Sequence, residues 1–232
     1  MKKRQNTNVH SLNTNKILEH NIIVWGAFIV GFDDDDMGVF SEQLEFIQPL
    51  SVPVAMVGIL QALSGRPLHE RIRREGRLKD DEAGGIRGAV NLLTSTNIKP
   101  MHMTDEDMAS GFRYLVTSLY NYGNFAERMI NAVKLEKNYD IKGRNKIHKK
   151  GILILLRLLR YYLISTETKR IRMFMRSIIQ TIIHNLQYSQ TVFMHLIVFK
   201  HLKTFEEQGT SETSPSANAY DFRCVNTSAS RA

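Results

Sequence analysis

The stretch NIIVWGAFIVGFDDDDMGVFSEQLEFIQPLSVPVAMVGIL, Asn21 to Leu60, holds two apolar runs with one helical pattern between them. Ile22 to Phe32 is rich in β-branched and aromatic residues and apolar in both alternating phases, which predicts a strand buried on both sides. Val39, Phe40, Leu44 and Ile47 then recur at helical spacing, and Pro49 closes that segment. Val54 to Leu60, reached through Pro53, is a second short apolar run of strand character. Strand, helix and strand joined by a few residues each are the pattern of a βα unit with parallel strands.

Outward from this unit, His10 to His20 reads as a modest helix, and SGRPLHERIRREGRL, from Ser64, as a turn and a charged helix ending at Gly76. Lys79 to Pro100 is a Gly-, Asn- and Thr-rich loop in which only Val90 to Leu93 has strand character. Thr104 opens TDED, a capping-box-like start to a helix reaching about Tyr120, with its acids in the favourable first turn. Basic helical segments follow at Lys146–Ile164, Thr168–Gln187 and Gln190–Phe205. In the first of these, Ile152, Leu155, Leu156, Leu159 and Leu163 suggest one apolar face flanked by Arg157 and Arg160. The polar run from Glu206 has the composition of a disordered tail.

Of the 232 residues 43% are hydrophobic, enough for a core, and the formal charge of +8 is concentrated. Lys142 to Lys203 contains thirteen Lys/Arg against one acid, Glu167. The single cysteine, Cys224, excludes an internal disulfide, a cysteine-based zinc site and a thiolate-ligated iron–sulfur cluster built from this chain alone. MKKRQNTNVHSLN lacks a following apolar signal-peptide segment, so a cytoplasmic location is expected. Ser177 to Phe199 carries no formal charge and is long enough to span a bilayer, but Gln180, His184, Asn185, Gln187, Gln190 and His195 argue against that.

The four aspartates, Asp33 to Asp36, are best read as the start of the next helix, since a carboxylate caps N–H groups and suits the helix dipole. Contact with a cofactor or substrate is the second reading. A dedicated metal site is the third, because adjacent residues in a tight loop seldom aim four carboxylates at one ion. His69, His102, His184 and His195 lack partners at ligand spacing, so no metal site and no catalytic residue is assigned. The basic helices admit packing with a solvated Arg/Lys face, attachment to an anionic membrane surface or a partner protein, and, least favoured, nucleic-acid binding.

Several phrases together resemble the C-terminal half of cobalamin-dependent radical SAM enzymes. They are KRQNTN (Lys3–Asn8), IVWGAFIVGFDDDD (Ile23–Asp36), FSEQLEFIQ (Phe40–Gln48), PVAMVGILQALSGRPLHERIRREGRL (Pro53–Leu78) and TNIKPMHMTDEDMASGFRYLVTSLYNYGNFAER (Thr96–Arg128). They cover most of residues 1–130 in the family's order, and the basic helices resemble its C-terminal extension by composition and position.

The resemblance implies an α/β fold: a partial (β/α) radical SAM barrel over residues 1–100, holding only the last strands, then a helical region over 101–206; composition makes 207–232 a disordered tail. Ile22–Phe32 would be the fifth strand and Val54–Leu60 the sixth, with ligands at the strands' C-terminal ends. Ala27, Ile29, Gly31 and Asp34 match the family's small-x-Ile-x-Gly-x-x-acid spacing against the adenine of S-adenosylmethionine, and Leu60 and Leu63 would add lining. The iron–sulfur cluster and cobalamin expected of the parent family cannot be bound by this chain, which has no Cys-x-x-x-Cys-x-x-Cys and no Asp-x-His-x-x-Gly. Ser64 and Arg66 also depart from the family's proline-containing turn. The implied function is a truncated or split radical SAM protein, inactive alone, whose parent reaction is radical chemistry such as methyl transfer. Its implied partner is a separately encoded half carrying the cluster and B12 domain. The alternative is a noncatalytic basic helical protein that binds a membrane surface or another protein.

Overall fold

A computed structural model describes residues 10–20, 22–79, 96–136, 149–164, 166–184 and 186–212. The order is α1 (His10–Glu19), β1 (Trp25–Val30), α2 (Val39–Ile47), β2 (Val54–Ile59), α3 (Pro67–Arg74), α4 (Asp105–Leu119), α5 (Tyr122–Leu135), α6 (Lys149–Leu163), α7 (Thr168–His184), a 3-10 turn at Leu186–Tyr188, and α8 (Ser189–Glu212). The fold is mixed α/β and mostly helical, with β1 and β2 as parallel neighbours in a two-stranded sheet. The expected strand at Val90–Leu93 lies outside the described residues. Helix α8 continues to Glu212, into the segment whose composition suggests a tail, and 213–232 lie outside the described residues.

Two helices begin where side chains satisfy their free backbone donors. Thr104 and Asp107 form a reciprocal box at the start of α4: the Asp107 N–H donates to Thr104 Oγ1 at 3.1 Å, and the Thr104 N–H donates to Asp107 Oδ2 at 3.0 Å. Hydrogen bonding to Thr104 holds the Asp107 carboxyl below its usual range. Helix α5 has no counterpart in the sequence reading, since Asn121 and Gly123 interrupt the pattern there. Asn121 is its N-cap, accepting the Asn124 N–H at 2.8 Å.

Burial corrects two expectations. Strand β1 is not buried on both sides: Trp25, Ala27 and Ile29 are exposed, Gly26 and Phe28 are half-buried, and only Val30 is buried. No layer of the described residues covers its outer face, whereas β2 buries Val54, Ala55, Val57 and Ile59 and exposes Met56. In α6 the inward line is Leu158 and Tyr162, while Leu156 and Leu163 are exposed. The Tyr162 hydroxyl sets that rotation by donating to the Leu196 carbonyl at 2.7 Å, and its ring stacks on Phe174 at 5.1 Å.

The chain divides into two compact units. One comprises the described residues of 27–46, 56–118 and 210–232. Its interior includes Ala62, Ile72 and Ile98, with Leu60, Leu68 and Leu78 packed around them. Gly111 of α4 leaves room for the Phe40 ring, which a Cβ at that position would meet head-on.

The other unit comprises the described residues of 1–26, 47–55 and 119–209. Here α5 packs along α7, and the Phe125 and Phe199 rings lie 4.3 Å apart. Arg128 of α5 is fully buried. Its guanidinium donates to the carbonyls of Leu119 (2.8 Å), Val52 (3.2 Å) and Pro53 (3.4 Å) and to Gln48 Oε1 (2.8 Å). Burial pulls its pKa down to about 10, so it stays charged at neutral pH. Tyr188 and His195 have their rings 6.4 Å apart, and burial pushes Glu136 up to about 7 with the Tyr188 hydroxyl opposing the shift.

Candidate functional site

The four aspartates divide their work. The Asp35 carboxylate accepts the N–H groups of Gly31 (2.7 Å) and Phe32 (2.9 Å), turning the chain sharply as it leaves β1. Gly31 itself has φ +95°, and a Cβ there would lie 3.2 Å from both Ile59 Cγ2 and Met108 Cε. Asp36 accepts the Gly38 N–H at 2.7 Å, closing a turn that ends just before α2, where the expectation was a carboxylate capping an N–H of the helix itself.

Asp33 pairs instead with Arg71 of α3 (2.6 Å) and Arg77 (2.8 Å), and Arg77 also meets Glu75 at 3.0 Å. Partial burial works against the Asp33 charge, but the two arginines outweigh it and hold the carboxyl below its usual range. Asp34 is exposed and engaged by none of these partners.

Strand β2 leaves the sheet beside β1, where the Leu60 N–H donates to the Val30 carbonyl at 2.8 Å. The next residues are then held by side chains from the far end of the long loop. Thr96 Oγ1 donates to the Leu60 carbonyl at 2.6 Å. Asn97 imitates a strand partner for Ala62: its Oδ1 accepts the Ala62 N–H and its Nδ2 donates to the Ala62 carbonyl, each at 2.9 Å. Backbone bonds from Lys79 N–H to the Asn97 carbonyl and from Lys99 N–H to the Arg77 carbonyl, both 2.8 Å, flank the Leu78–Ile98 bridge and fix this frame.

The six residues selected from the sequence lie along β1, in the turn after it and in the segment that follows β2. Ala27 and Ile29 share the exposed phase of β1, and Gly31 and Asp34 lie in the turn that follows it. Leu60 is half-buried at the end of β2, and Leu63 is 59% exposed in the loop beyond. Ile29 and Leu63 therefore present aliphatic carbon to solvent and Asp34 an exposed carboxylate, while Gly31 is engaged by Asp35 and packed against Ile59 and Met108. Thr96 and Asn97 fix the geometry yet carry no sequence signal beyond lying in the phrase TNIKP, since an asparagine's partners across a loop leave no periodic pattern.

No group of three or more His, Cys, Asp or Glu able to hold a metal occurs among the described residues. The donor set here does not fit an iron–sulfur cluster, which needs thiolates, and Cys224 lies outside the described residues. No described helix is long and apolar enough to cross a membrane, and the 3-10 turn at Leu186–Tyr188 breaks the charge-free stretch between α7 and α8.

Among curated proteins the chain is 30% identical to an uncharacterized methyltransferase of Synechocystis sp. over 128 residues, 55% of this chain and 23% of the relative. It is 35% identical to the hopanoid C-2 methylase of Rhodopseudomonas palustris over 66 residues, 28% of this chain and 12% of the relative. The chain therefore matches less than a quarter of the length of either, and both names accord with the radical SAM resemblance. No solved structure matches. Residues 67–214, well over half of the chain, match the family described as a domain of unknown function, DUF4070, and the chain belongs to that family.

Proposed function

We propose that this chain supplies the S-adenosylmethionine side and the helical C-terminal part of a radical SAM methyltransferase. In this reading β1 and β2 are late strands of a barrel, and Ala27, Ile29, Gly31, Asp34, Leu60 and Leu63 meet the adenosine of the cofactor. The observation that supports it is the exposed apolar phase of β1, Ala27 and Ile29, which leads into a turn held by Asp35 at the C-terminal end of parallel strands, the end at which βα barrels bind ligands. The methyltransferase names of the two relatives support the reaction class.

With one cysteine in 232 residues, the three thiolates of the cluster and the cobalamin site must come from another stretch of polypeptide. The reductive step belongs to that stretch, and this chain contributes binding and orientation. Alone it is inactive.

Saturation-transfer NMR with S-adenosylhomocysteine tests the binding role. Transfer to the adenine protons is expected, with loss in Ile29→Asp. No transfer at millimolar ligand would refute the assignment of these residues. An anaerobically reconstituted chain that held an iron–sulfur chromophore and cleaved S-adenosylmethionine would refute the division of labour.

A further inference from the structure

We propose that the outward face of α7 docks the protein on an anionic lipid surface, with the C-terminal end of the helix entering the interface first. The helix buries Met173, Phe174, Ser177 and Thr181. On the opposite face, at three- and four-residue spacing, stand Lys169, Arg172, Met175, Arg176, Ile179, Ile182 and Ile183, all exposed. Ile182 is 59% exposed, Ile183 65%, and Leu186 in the following turn 60%. Aliphatic side chains this large, grouped over two turns, form the kind of apolar patch that marks a contact surface.

The charges choose the occupant. Lys169, Arg172 and Arg176 lie in the N-terminal half of the helix, where cations oppose the helix dipole. None of the three makes an ion pair among the described residues, whereas neighbouring Arg170 meets Glu167 at 3.0 Å. An external anion compensates both the dipole and the mutual repulsion. The apolar half follows at once: Arg172 to Ile183 spans about 16 Å along the axis. An oblique helix of that length sets its arginines among lipid phosphates while its isoleucines reach the acyl boundary.

Helix α6 carries the same chemistry, with Leu153, Leu156 and Leu163 exposed around Arg157 and Arg160, and Ile164 just beyond. A second copy of the chain paired through the isoleucines would cover the apolar half but leave Lys169, Arg172 and Arg176 without anions. A nucleic acid would leave the isoleucines in water.

The test is co-sedimentation of the full chain with vesicles of phosphatidylcholine, with and without phosphatidylglycerol, at low and high salt. Binding is expected only to phosphatidylglycerol vesicles, weakened by salt, and Arg172→Glu/Arg176→Glu should lower partitioning at least about tenfold. A tryptophan introduced by Ile183→Trp should shift to the blue on binding and be quenched by brominated lipid more strongly than the native Trp25. These side chains are exposed, so unchanged circular dichroism will verify the fold of each variant. Three results would overturn the proposal: no binding to phosphatidylglycerol vesicles at low salt, equal binding by the charge-reversed variant, or lipid-free dimers that Ile182→Asn/Ile183→Asn disperses. The last would make the stripe a protein interface. None of these readouts depends on S-adenosylmethionine, so this proposal and the methyltransferase reading fail separately.

Discussion

His195 is fully buried with neither ring nitrogen hydrogen-bonded, and burial lowers its pKa from 6.5 to about 4. The unfolded chain therefore binds more protons between those values, and the stability His195 permits at neutral pH is lost as pH falls from 6.5 toward 4. Glu136 behaves oppositely. Burial raises it from 4.5 to about 7, so the folded state holds the extra proton and stability falls as pH rises through that window. The two slopes offset one another between pH 4.5 and 6.5. Relative to the parent, His195→Leu should gain on the order of 3 kcal/mol between pH 6.5 and 4, and Glu136→Gln a similar amount between pH 4.5 and 7. Denaturant titrations across pH measure both, and superimposable profiles for parent and variants would contradict the burial argument. At Gly31, with φ +95° and two side-chain atoms 3.2 Å from a Cβ, Gly31→Ala should cost about 1–2 kcal/mol and weaken S-adenosylhomocysteine binding.

Among the elements, α5 has the most consequential anchor, because Arg128 gathers the carbonyls that end α4 and lead into β2. Arg128→Met should cost about 3 kcal/mol or more by leaving buried acceptors unpaired. Arg128→Lys should rescue little, since a point charge cannot replace the guanidinium fork. Thermal melts of the two variants check this, and near-parental stability of Arg128→Lys would show that charge alone suffices. Sequence periodicity located α2, β2, α4 and α7 because each carries its apolar pattern in its own residues. It could not locate α5, whose start depends on the Asn121 cap, and it rotated α6, whose inward line depends on the Tyr162 hydroxyl finding the Leu196 carbonyl. The same limit applies at the candidate site. Ala27, Ile29 and Gly31 belong to a local pattern, whereas the pairing of Asn97 with Ala62 is a contact across 35 residues.

A two-stranded sheet with one apolar phase open to water is a marginal arrangement on its own. The large exposed side chains of β1 are Trp25 at 48% and Ile29 at 53%, with Met56 of β2 at 45%. Each of these side chains is about half-exposed, so completing its burial is worth roughly 0.8–1.5 kcal/mol, which adds to the pairing of open strand edges in favouring association. The isolated chain should therefore self-associate in a concentration-dependent way, and Ile29→Lys/Met56→Lys should shift it toward monomer. Trp25 is the only tryptophan, so its emission reports on this face directly. It should be red-shifted at high dilution and move to the blue as oligomers form, a change that Ile182→Asn/Ile183→Asn on α7 should leave intact. Sedimentation velocity supplies the size distribution. A monodisperse monomer at all concentrations, with solvent-exposed Trp25 emission throughout, would show that the open sheet face needs no covering and would remove the chief physical reason to expect a complementary barrel segment.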